Sequence, residues 1–123
     1  MKSLLLTLSL LIPVSVATAA TPNDQENVVM YMQSVSLKEI LTFCQNVDTG
    51  YNYLDLHSKW YEKNRSSIQN GLDFLKKHNE NNMDFERELL NESKLLTKEL
   101  QEKSSKEQLE HCEYIVLVLE SES

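Results

Sequence analysis

Two cysteines, Cys44 and Cys112, are the side chains of this sequence best able to form a covalent bond. They belong to no C-x-x-C motif and to no Cys/His metal-binding pattern, so redox catalysis and structural zinc are not indicated. In an oxidising compartment, a single pair predicts one structural disulfide. The alternative interpretation is that both are buried, unpaired thiols.

The segment HSKWYEKNRSS, residues 57–67, contains the polar and aromatic side chains most suited to recognition. On a helix, Asn64 falls on the apolar face, Arg65 at its edge and Trp60 beside it. Because Trp and Arg are typical anchors of protein interfaces, we predict a partner-binding site at Trp60, Asn64 and Arg65. This prediction requires one edge of the indole to be near solvent. The alternative is that the three side chains belong to the core or satisfy polar groups of neighbouring helices.

Catalytic chemistry lacks the residue pattern that it needs. A nucleophilic enzyme requires a nucleophile, a base and an orienting group. The chain has histidines at 57, 78 and 111, but no glycine-bearing loop that would expose a serine beside one of them. We therefore predict a non-enzymatic protein with no catalytic residues, no metal site and no cofactor.

The first 20 residues, MKSLLLTLSLLIPVSVATAA, have the three parts of an export leader. Lys2 is followed by an apolar run from residue 4 to residue 16 and by the small-residue end Ala17-Thr18-Ala19. The run is broken by Pro13 and is shorter than the roughly 18 to 20 residues that a membrane-spanning helix needs. We predict cleavage after Ala19 and a periplasmic or secreted protein with no stable membrane anchor.

Length, net charge, and the numbers of proline and glycine limit the classes of fold and of partner that are plausible. Without residues 1–19, 104 of the 123 residues remain, which is enough for one domain with a modest core. The formal net charge of −7 becomes −8 when Lys2 is removed, and this acidity argues against nucleic acid as a partner. Prolines occur only at 13 and 22 and glycines only at 50 and 71, so the turns of an all-β protein are missing. An all-α domain is predicted.

Four helices are predicted from capping signals and from apolar residues spaced three to four apart. The first begins at the capping box Ser36-Leu37-Lys38-Glu39 and ends near residue 47. The second covers about 53–77, the third about 84–103, and the fourth begins at a capping box at Ser105. The second helix has a predicted inner stripe of Leu54, His57, Tyr61, Asn64, Ile68, Leu72 and Leu75.

Short connections between these helices favour a small four-helix bundle. Cys44 and Cys112 both fall on inner faces, so a disulfide would join the first helix to the last. The run YIVLVL at 114–119 is rich in β-branched residues, but it continues an apolar stripe and is predicted as helix. The segment 27–35 is either a further turn of helix or a loosely attached arm.

The predicted organisation is a leader at 1–19, an arm or short helix at 20–35 and a helical bundle at 36–123. Small exported inhibitors, immunity proteins and acid-stress chaperones share this plan, although no motif residue carries over. We therefore predict that the protein binds another protein of the cell envelope. The alternative is a carrier of a small hydrophobic ligand or haem, in which Met30 or Met32 and His111 would be the haem ligands. His111 is predicted to face solvent and the attachment motif C-x-x-C-H is absent, and both facts count against haem.

Overall fold

The computed structural model describes residues 21–79 and 84–121, and within these ranges all regular structure is α-helix. It confirms an all-α four-helix bundle with one disulfide. The predicted leader at 1–19 lies outside the described residues. The helices are α1 (Pro22–Val47), α2 (Tyr53–Lys77), α3 (Phe85–Gln101) and α4 (Ser105–Ser121).

Helix α1 is much longer than predicted, because it begins at Pro22 and continues through residue 35 without a break. Thr21 caps it: its side chain accepts a hydrogen bond from the backbone N–H of Asp24, whose carboxylate accepts one from the Thr21 N–H. The predicted start at Ser36 is wrong. Ser36 is buried within the helix, where its Oγ lies 3.0 Å from the Ser93 Oγ in a hydrogen bond to α3.

The other predicted helices are confirmed with small changes at their ends. Helix α2 has the predicted bounds, and α3 ends two residues earlier than expected. Ser104, rather than Ser105, caps α4 by accepting a hydrogen bond from the backbone N–H of Glu107. Residues 114–119 are helical as predicted.

Helix α1 is the centre of the bundle, because it packs against each of the other three helices. Its middle is therefore buried on several sides at once, with low exposure at Tyr31, Met32, Gln33, Ser34, Ser36 and Leu37. A helix that is covered on several sides has no clear amphipathic stripe. For this reason the apolar residues of 27–35 show no clear helical stripe in the sequence.

Contacts along α1 show whether α2 and α3 run parallel or antiparallel to it. Asn27 lies beside Gly71 and Ser34 beside His57, so α2 runs antiparallel to α1. Tyr31 packs edge-on against Phe85 and Ser36 meets Ser93, so α3 runs parallel to α1. Helices α2 and α3 both lie on α1 but make hardly any direct contact with each other.

The predicted disulfide between Cys44 and Cys112 is confirmed and joins α1 to α4. Its sulfur atoms are 2.06 Å apart, and both residues are 0% exposed. Helix α4 otherwise packs less extensively than α2 on the rest of the bundle. The disulfide thus adds a covalent link to the packing of Ile115 and Leu119, which are the other buried residues of α4. None of the helices in the described ranges is long and apolar enough to cross a membrane.

Candidate partner-binding groove

A groove runs between α2 and α3, and α1 forms its floor. It exists because the two outer helices each pack on α1 without packing on one another. Its volume is about 780 Å³. We call it the α2–α3 groove, and its lining residues are Ser34, Val35, Lys38 and Glu39 of α1, Leu54, His57, Ser58, Tyr61, Glu62 and Arg65 of α2, and Glu86 and Leu90 of α3.

Apolar side chains from all three helices line the groove. Leu54 is 44% exposed and Leu90 is 37% exposed, while Val35 is half-buried in the floor. Leu54 was predicted on the inner stripe of α2, and this is wrong. Because α2 packs against both α1 and α4, its buried face is rotated toward Tyr53 and Trp60, which leaves Leu54 in the groove.

Charged side chains form the edges of the groove. Arg65 and Glu62, both well exposed on α2, form an ion pair with each other. The Arg65 guanidinium also lies 5.8 Å from the centre of the Tyr61 ring. Glu39, Glu86 and Lys38 complete the charged lining, which has three acidic and two basic groups. The groove therefore combines an apolar lining with charges of both signs at its margins.

His57 is a half-buried titratable group of the groove lining. Its Nε2 lies 3.3 Å from the Ser34 carbonyl oxygen, and its ring packs near the rings of Trp60 and Tyr61. Burial lowers the pKa of His57; the bond to Ser34 acts in the opposite direction, and the charge of Lys38 lowers the pKa further. The neutral imidazole is thus the form that the fold favours.

We expect His57 to make the protein less stable in mild acid. Because its folded pKa is below that of the unfolded chain, its stabilising contribution is complete above about pH 6.5 and is lost as the pH falls through the folded pKa. Urea unfolding from about pH 7.5 to about pH 5 should therefore show a smaller loss of stability in His57→Gln than in the wild type. His111→Gln is the comparison variant: burial and the charge of Lys103 also lower the pKa of His111, so this variant removes the His111 contribution and retains that of His57. Equal losses in wild type and His57→Gln would contradict this assignment.

The three predicted site residues do not form one site. Trp60 is only 6% exposed, so the expected solvent-facing edge of its indole is not observed. The small exposed part of Trp60 lines a different cavity, of about 330 Å³, between α2 and α4. Arg65 instead lines the α2–α3 groove. Asn64 is half-buried, and its Nδ2 donates a 2.8 Å hydrogen bond to the Trp60 carbonyl within the same helix. Of the three, Arg65 alone is at the groove.

Sequence reasoning missed the groove residues on α1 and α3. Leu90 directly follows Leu89, which is buried at 6% exposure, so the two leucines cannot share one narrow face. That doubled leucine was the available signal for a second apolar face. The floor residues Val35 and Lys38 were not recognisable, because they lie across the predicted start of the first helix.

The proposed haem ligands lie in different environments. Met32 is buried in the core on α1, whereas His111 is exposed on α4. Across residues 21–79 and 84–121, no group of three His, Cys, Asp or Glu side chains is placed to hold a metal ion.

Comparisons with protein-family models, with curated proteins and with solved structures found no match to this chain.

Proposed function

We propose that this protein acts without catalysis, by binding a segment of another protein in its α2–α3 groove. The observation that carries the proposal is the groove itself, in which apolar side chains of three helices are exposed together. Isolated exposed leucines are ordinary on protein surfaces, but apolar residues that converge in a concave site are typical of binding.

An amphipathic helix is the occupant that suits this geometry. The two walls are helices that lie on a third, and the lining residues of the α2 wall extend from Leu54 to Arg65. A helix laid in such a groove would place its apolar face on Val35, Leu54 and Leu90 and its polar margins beside the charged edges. This mode of recognition uses anchors spaced three to four residues apart.

The periplasm or the extracellular space is the proposed location. The leader-like sequence at 1–20 supports export, and the buried disulfide supports an oxidising compartment, where such bonds persist. Within exported binding proteins, the proposal covers an inhibitor, an immunity protein and a chaperone.

Charge introduced into the groove should weaken binding strongly while leaving the fold intact. We expect Leu54→Asp and Leu90→Asp to weaken capture of the partner by at least about tenfold, because each places a carboxylate against the apolar face of the occupant. Both leucines are partly exposed, so the melting temperature should change little. The measurement is quantitative capture of the same envelope protein by each immobilised variant.

Leu117→Asp is the matched control, since Leu117 is 67% exposed on α4, outside the groove lining. It should capture the partner as the wild type does. Capture that is lost equally in the control, or retained in both groove variants, would refute the groove as the binding site.

A further inference from the structure

His57 lies where a segment bound in the α2–α3 groove would cover it. It lines the groove one helical turn after Leu54, and its Nε2 lies 3.3 Å from the carbonyl oxygen of Ser34, the residue before Val35. Leu54 and Val35 are two of the apolar residues on which the proposed occupant lies. A segment that contacts both would therefore also exclude water from the half-buried imidazole.

The hydrogen bond to Ser34 determines which ring nitrogen of His57 acid protonates. A carbonyl oxygen can only accept a hydrogen bond, so Nε2 carries the hydrogen of the neutral ring. Nδ1 is then the atom that gains a proton as the pH falls. Protonation therefore keeps the bond to Ser34 and adds a positive charge to the groove lining.

Charged and titratable groups of three helices surround His57 in the groove lining. They are Lys38 and Glu39 on α1, Tyr61, Glu62 and Arg65 on α2, and Glu86 on α3. Glu62 forms an ion pair with Arg65, and the charge of Lys38 opposes protonation of His57. Burial has the largest effect on the pKa of His57 and lowers it, ahead of the opposing bond to Ser34 and the smaller effect of Lys38. An occupant that removes more water should act in the same direction as burial.

We infer that mild acid weakens binding in the α2–α3 groove, because protonation of His57 places a positive charge on a ring that the bound segment must cover. This inference rests on the proposed function and adds its regulation. Covering a cation with apolar side chains costs free energy, so the bound segment favours the neutral imidazole. Protonation and binding then oppose each other reciprocally. Affinity is complete above the pKa of His57 in the free protein and falls as the pH drops through it.

The probe for this inference is a helical peptide with leucines along one face and lysine and glutamine elsewhere. Both ends are capped, so none of its groups titrates between about pH 5 and about pH 7.5. For the wild-type protein, the dissociation constant measured by calorimetry should rise at least about threefold from about pH 7.5 to about pH 5. NMR titration of the His57 ring should give a lower pKa with the peptide bound than without it. Because this signal is that of the folded protein, it is independent of acid unfolding.

Two variants show whether His57 is the group responsible. His57→Gln removes the titrating group and keeps a side-chain N–H that can donate to the Ser34 carbonyl. Its dissociation constant should change by less than about 1.5-fold over the same pH range. His111→Gln is the comparison variant, because His111 lies on α4 outside the groove lining and its pKa is also lowered by burial and by Lys103. It should retain the pH dependence of the wild type.

The outcomes separate the inference from the proposed function. If the wild type binds the peptide equally well at both pH values, or if the pH dependence persists in His57→Gln, the role of His57 is refuted while groove binding stands. A His57 pKa that rises when the peptide binds would refute it as well. The binding site is mapped by NMR shifts of the labelled protein at about pH 7.5. Failure of the peptide to bind the groove there would refute the inference and count against the proposed function.

Discussion

Replacing Cys44 and Cys112 together by alanine is expected to lower the free energy of unfolding by about 4 kcal/mol. The two cysteines are separated by 68 positions, so the bridge removes a large part of the conformational freedom of the unfolded chain. Helix α4 should be affected most, because its packing against the rest of the bundle is limited. Urea unfolding followed by circular dichroism measures the loss, and hydrogen exchange shows whether α4 opens first.

The reduced wild-type protein is the matched control for this prediction. In the presence of a reductant, wild type and double variant should unfold at nearly the same urea concentration, since both then lack the bridge. A double variant that loses less than about 1 kcal/mol would show that the disulfide is incidental to stability.

Replacing Gly71 by alanine is expected to destabilise the protein by about 3 kcal/mol, although alanine is the better helix former. A Cβ atom at this position would lie 2.0 Å from the Asn27 carbonyl oxygen and 2.5 Å from its carbonyl carbon. Both atoms belong to the backbone of α1, so no side chain can rotate out of the way. The helices would have to separate where α2 holds the N-terminal half of α1.

Gly50→Ala is the matched control, because the same methyl group would meet only the Asp48 Oδ1 there, at 3.2 Å. Its effect should be within about 1 kcal/mol. Urea unfolding gives the two values, and hydrogen exchange should show lost protection over 22–30 only for Gly71→Ala. A Gly71→Ala protein as stable as the wild type would contradict the close approach of α1 and α2.

Features encoded by local signals were predictable from the sequence. Absence of proline after residue 22 and the spacing of apolar residues indicated helices, and the bounds of α2 were correct. Inward positions of Cys44 and Cys112 followed from helical periodicity, and the disulfide followed from the pairing of two cysteines.

Features that depend on which helices touch were not predictable. The sequence Ser36-Leu37-Lys38-Glu39 matches the pattern of a capping box, but Ser36 does not cap a helix. Its side chain forms a hydrogen bond with Ser93 on α3. Sequence periodicity indicates a single apolar stripe on α2, and Trp60 lies at the border of that stripe. In the structure α2 is covered by both α1 and α4, which moves Trp60 into the core. Gly71 is an unexplained glycine in sequence and becomes meaningful only beside Asn27.

The candidate site was even harder to predict from the sequence, because the groove forms between two helices that do not pack against each other. Arg65 was identified, but it was grouped with Trp60, which faces another cavity. The opposite wall at Leu90 and the floor at Val35 depend on the central position of α1. The residue pattern of a single helix does not indicate that α1 is central and that α2 and α3 pack on it separately.

The most direct test of groove binding is photo-crosslinking in the native host. A photo-reactive phenylalanine analogue at position 90 would lie in the α2–α3 groove, and the same analogue at position 117 would lie on α4, away from the groove lining. If the groove binds the partner, we expect a discrete crosslinked product with one envelope protein from position 90 and no such product from position 117. A product from position 117 with none from position 90, or the same products from both, would contradict it.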